Sequence, residues 1–275
     1  MTKEILNYFR REKELLEKLN FDIPDVKDYE IMKIVYDSLS EIQKPICNER
    51  LTLEKCKLES LNDISLLNKD YRQRLTEKMF VINTTNDEYN FSTAILNRYN
   101  KKKQLLTSKK AVGCYIIVPP TLNELSPIWI SHEYIHTLKD VKYDEFKSVY
   151  SEVISLFYEI LVANNKVGDI HEKWKQARLY MFWSDKMAWD YCIKRYNIEE
   201  DEVYKYICDS YGKYFLNYYY AVNLYSEYKE NPKLILKHVN RVLDNRITTV
   251  DLLKKLKLDN MNISVNRYLK EYTNI

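Results

Sequence analysis

His132 and His136 are two of only four histidines in the chain, and Glu133 directly follows the first. On a helix, residues four apart share a face, about 6 Å from each other, so both imidazoles can reach one metal ion. Glu133 falls beside them, near enough to touch a water on that ion without taking a ligand position. Zinc accepts such nitrogen ligands, and its catalytic sites combine three protein ligands with one position left to water. The chemistry such a set can perform is hydrolysis. Zinc polarises a carbonyl and acidifies its water, and Glu133 takes the water proton and passes it to the departing amine.

The third ligand has to come from elsewhere in the chain. Glu152 and Glu159 are seven residues apart, two turns along one helical face, with Ser155 and Leu156 between them. From an adjacent antiparallel helix, Glu152 can complete a His2Glu set, and Glu159, one layer back, can hold a histidine N–H and fix the ring. Asp144 and Glu145 compete for the ligand role, although acidic residues at a helix start are also favoured by the helix dipole. A charge developing on the carbonyl oxygen needs a further donor. Tyr211, Tyr214, Tyr218, Tyr219 and Tyr220 are the densest supply of hydroxyls. Phenols with a pKa near 10 remain donors at neutral pH, and Tyr211, Tyr214 and Tyr218 share one face.

The elements that must position these groups read mainly as helices. Three glycines and six prolines among 275 residues argue against a loop-rich sandwich or a glycine-looped nucleotide fold. Leucines and aromatics at helical spacing predict helices over 3–20, 25–43, 51–67, 69–79 and 91–106. Val112-Gly113-Cys114-Tyr115-Ile116-Ile117-Val118 is short, apolar and β-rich, and Pro119-Pro120 ends it, which makes it the best strand candidate. Thr121 and Glu124 have capping-box spacing, Pro127 interrupts that first helical attempt, and 128–138 carries the histidine pair on a helix. Further helices are expected over 144–164, 172–195, 199–230 and 232–243, with one or two short ones after Thr248. The division is an N-terminal helical region, 1–110, and a zinc-binding region, 111–275, packed as one continuous domain.

Composition narrows the rest. A net charge of +3 is dispersed, and the densest basic patch, Lys101 to Lys103 with Lys109 and Lys110, reads as a solvated connector and not a nucleic-acid site. Five cysteines without close pairing read as reduced thiols, hence a cytoplasmic protein. Met1 to Arg11 lacks the apolar run of a secretory leader, and no window approaches a membrane span. His171 and His238 read as ordinary surface or packing residues.

Over 111–230 these residues resemble the M3 metallopeptidases, the thimet oligopeptidase and oligoendopeptidase F group. Gly113 and Tyr115, followed by Thr121-Leu122-Asn123-Glu124-Leu125, resemble the family's approach to its active helix. Glu152 to Glu159 is similar to its E-x-x-S-x-x-x-E helix, and Tyr214 to Ala221 to its tyrosine-rich segment. The resemblance implies a mostly helical zincin-type domain with a deep cleft, one zinc ion per chain and hydrolysis of short peptides. It implies Glu152 as third ligand, Glu159 as supporting carboxylate, and Tyr214 and Tyr218 as the better oxyanion donors. Ile135 stands where the family has glycine, and Lys139 where it commonly has histidine. The expectation is therefore a zinc oligopeptidase or endopeptidase acting on peptides or an extended protein segment. Its rivals are another gluzincin with a dedicated protein substrate, and a helical interaction module that keeps the metal without catalysis.

Overall fold

Scarce glycine and proline favour helices, and a computed structural model of the chain is mostly helical with a few short strands. It describes residues 26–76, 79–82, 91–96, 113–138, 148–196 and 213–274. The expected helix over 3–20 and the basic patch lie outside those residues.

The first half gives helix α1 (Val26–Ser38), the two-residue strand β1 (Arg50–Leu51) and α2 (Leu53–Asp63), continued by one 3-10 turn. Thr52 caps α2 by accepting the N–H of Lys55. After α3 (Lys69–Leu75) come β2 (Met79–Ile82) and β3 (Ser92–Leu96). Both strands correct the sequence reading, which carried α3 to residue 79 and made 91–106 a helix. Strand β4 (Gly113–Val118) explains the difference. Its peptide groups need partners on both edges, and they find β2 in parallel and β3 in antiparallel register, in the order β2-β4-β3.

The cap expected at Thr121 is also replaced. Strand β5 (Leu122–Asn123) pairs with β1, and Glu124 accepts the backbone N–H groups of Asn48 and Glu49, each at 3.1 Å. Helix α4 (Ser126–Leu138) then starts two residues before the expected point, with Pro127 inside its first turn. Proline costs nothing there, because a first-turn N–H has no intrahelical acceptor. Helix α5 is Val153–Asn164, shorter than the expected 144–164; of the remainder, 148–152 form turns and 144–147 lie outside the described residues. The chain continues as α6 (Ile170–Tyr196), α7 (Lys213–Glu230), α8 (Pro232–Leu243), α9 (Thr249–Lys255) and α10 (Met261–Asn274). Asn231 caps α8 ahead of Pro232, and Thr248 with Asp251 forms a capping box on α9.

Every residue of α4 is buried, and so is α5 from Val153 to Ala163. These two helices form the centre. Helix α2, α3 and the β3-β4 side of the sheet lie against α4, while α7 covers α5 and in turn meets α1, α8 and α10. Ser60 on α2 donates to the carbonyl of Pro127 at 2.8 Å, so the first half of the chain is fastened to the start of the histidine helix. Among the described residues no helix is long and apolar enough to cross a membrane.

Candidate metal centre

An apolar helix can bury two imidazoles and a carboxylate only if each polar atom finds a partner. On α4, His132 and His136 point at one spot, and Glu152 meets them there from the turn that leads into α5. Glu152 Oε2 lies 3.2 Å from His132 Nε2 and 3.0 Å from His136 Nε2, and the two nitrogens are 3.3 Å apart. All three residues are buried. Glu152 is the N-cap residue of α5 and not, as expected, a residue inside a longer helix. That position is held by Asn217 of α7, which accepts the Glu152 N–H at 3.0 Å and donates to the Val149 carbonyl at 2.6 Å.

The donor set fits a tetrahedral ion. Ligands about 2.0–2.1 Å from such an ion sit roughly 3.3 Å from one another, close to the separations here. The electrostatics agree. His132 Nδ1 lies 2.9 Å from Glu159 Oε2, so the ring hydrogen belongs on Nδ1 and Nε2 is the bare nitrogen of the neutral ring. A bare nitrogen facing a carboxylate oxygen requires a positive charge between or upon them. Burial opposes charge on His132, yet the hydrogen bonds of Glu152 and Glu159 and the nearby charge of Glu133 lift its pKa to about 10. Burial likewise opposes charge on Glu152, and the two histidines overcome it and hold the carboxyl well below its ordinary range. The pocket is thus built for a cation, which a proton or a metal ion can supply. His132, His136 and Glu152 together can hold a metal ion.

Behind His132 lies Glu159, fully buried. Trp174 Nε1 donates to Oε1 at 2.6 Å, Arg178 Nε to Oε1 at 3.0 Å, and Arg178 Nη2 reaches both oxygens, at 2.7 and 2.6 Å. Burial would raise the Glu159 pKa, but the Arg178 charge and the His132 hydrogen bond lower it. Sequence reasoning missed Trp174 and Arg178. Their signal was present in the chain as two residues four apart on α6, able to reach one buried acid together. Asn217 was missed too, and nothing in the sequence marks it.

In front of the centre opens a cleft of about 300 Å³. His132 and Glu133 line it together with Trp129, Phe91, Tyr214 and, from α6, Arg178, Met181, Phe182 and Asp185. Tyr214 is partly exposed at its edge. The negative field of Glu152, then burial and the charge of Glu133, keep its phenol well above the ordinary range, so its hydroxyl stays a donor. Tyr218, the other expected donor, is placed differently. It is buried, its ring meets that of Phe182 edge-on with 5.1 Å between centroids, and it is not among the residues that line the cleft. Tyr219 meets Ser264 on α10, and Tyr220 packs on Tyr150. Asp144, Glu145, Lys139 and Tyr211 lie outside the described residues.

Comparison of the chain with protein-family models, with curated proteins and with solved structures finds no match.

Proposed function

We propose that this chain is a zinc-dependent peptidase that hydrolyses peptide bonds in short peptides or an extended protein segment. The observation that carries the reading is the convergence of His132, His136 and Glu152 on one point, with Glu133 beside them on the wall of a cleft. Zinc held there supplies a Lewis acid for the carbonyl and a water acidified towards neutrality.

The chain's own groups do the rest. Glu133 accepts the proton of the attacking water and returns it to the departing amine. Tyr214, kept protonated by its acidic neighbours, donates to the carbonyl oxygen as that oxygen gains charge. Glu159, itself anchored by Arg178 and Trp174, fixes the ring of His132 and keeps its Nε2 bare for the ion. Tyr218 braces the wall through Phe182. Trp129, Phe91, Met181 and Phe182 exclude water from one side of the cleft. The resemblance of 132–136, 152–159 and 214–221 to the thimet oligopeptidase group supports the same assignment, with a zincin-type domain. The free, buried thiol of Cys56 is in keeping with a cytoplasmic setting.

The test pairs metal analysis with turnover. One zinc per chain is expected in both wild type and Glu133→Gln, with a mixed peptide library cleaved only by the wild type. The variant should lose about 10²–10⁴-fold in kcat, the usual contribution of a general base. Zinc in both proteins with turnover in neither would leave a structural metal site, and absence of zinc in both would sink the reading.

A further inference from the structure

One face of α6 supplies the wall of the cleft opposite the histidine helix. Arg178, Met181, Phe182 and Asp185 fall at helical steps of three and four, and all four line the cavity. Their charges are in different situations. Arg178 is committed, bound to both oxygens of Glu159 and lying over the ring of Trp129, 4.5 Å from its centroid. Its charge is balanced by the carboxylate it holds. Asp185 has no hydrogen bond and no ion pair among the described residues, and it is an exposed residue of the cleft lining. Desolvation there raises its pKa to about 6 against the opposing pull of Arg178. Phe182, Met181, Phe91 and Tyr214 line the same cleft. Ring faces attract a cation, and an apolar wall accommodates an alkyl stem.

We propose that Asp185 anchors a substrate subsite for a cationic group, either a lysine or arginine side chain or the free α-amine of a peptide. Asp185 lies seven residues beyond Arg178, two turns or about 10 Å along α6, and Arg178 is level with the metal centre through Glu159. An extended peptide covers that distance in about three residues. The cationic group therefore sits within about three residues of the bond that is cleaved. This rests on the peptidase reading for the cleavage, while the anchoring itself is a statement about binding.

The probes are neutral octapeptides that carry a single lysine, norleucine or glutamate, scanned along the chain. Turnover is measured with zinc-loaded wild type, Asp185→Asn and Asp185→Lys. Affinity is measured by calorimetry on Glu133→Gln with and without Asp185→Asn. The lysine peptides should be preferred over norleucine by about tenfold, the scale of one charge-assisted contact, at one fixed distance from the cut. Asp185→Asn should abolish that preference, and Asp185→Lys should turn it towards glutamate. Equal cleavage of lysine and norleucine peptides by wild type, or a preference that survives Asp185→Asn, overturns the subsite. If nothing is cleaved but Glu133→Gln still selects lysine through Asp185, the subsite stands and the peptidase reading falls.

Discussion

His132 and His238 sit in two regions of this molecule, equally hidden at 6% and 4% exposure, and their pKa values move in opposite directions. His238 lies on the inner face of α8 among Ile235, Val239 and Val242, and its Nδ1 is buried without a hydrogen-bond partner. Burial, with the positive charges of Lys255, Arg241 and Lys237, lowers its pKa. His132 has carboxylates on both ring nitrogens, and its pKa rises. Burial with only positive charges nearby therefore makes a histidine a neutral packing residue. Two acids placed on its ring edges make it part of a cation site, and one of them, Glu159, is in turn held by Arg178 and Trp174.

The sharpest way to break this contrast is to remove the acid behind His132. Glu159→Ala leaves Arg178 and His132 buried without their shared partner, and the metal-free chain should lose about 3–5 kcal/mol of stability by denaturant unfolding. A loss under about 1 kcal/mol would mean that the buried charges are not organised around Glu159. A milder change sharpens the comparison: Arg178→Gln keeps Glu159 but frees it to move. Zinc affinity, measured against a chelator, should drop about 10–100-fold, and Arg178→Lys should recover only part of it, since lysine cannot present the same fork.

The smallest effect belongs to the other region. His238→Leu should leave zinc content and turnover where they are and act only on stability at acid pH. With a folded pKa below the ordinary 6.5, His238 takes up its proton more readily when unfolded. Its contribution is complete above pH 6.5 and shrinks as pH falls from there through the lowered folded value. The variant should therefore show a shallower fall in Tm between pH 7 and 5 than the wild type. A loss of zinc in this variant would erase the distinction between the two histidines.

How much of this was legible in the sequence differs along the same divide. The histidine pair and Glu159 were readable because helical spacing is a local rule, and α4 and α5 obey it, whereas Glu152 reaches the same point from the turn just before α5. Helix α8 was readable to its ends, since Asn231-Pro232 opens it and apolar residues repeat along one face. The strands Met79–Ile82 and Ser92–Leu96 were not, because what makes them strands is β4, a partner distant in the chain. Thr121 and Glu124 misled for the same reason, since the backbone of Asn48 and Glu49 claims Glu124. The tyrosine segment was legible as a helix but not by role. Periodicity puts Tyr214 and Tyr218 on one face, and only packing separates the phenol that lines the cleft from the ring packed on Phe182.

The single amide of Asn217 has a mechanical consequence. It grips the turn that presents Glu152, and it sits on α7 less than one turn from Tyr214. Thermal motion that carries the tyrosine helix outward must drag the carboxylate turn with it or break two buried hydrogen bonds. The backbones that carry Glu152 and the phenol therefore travel as one body.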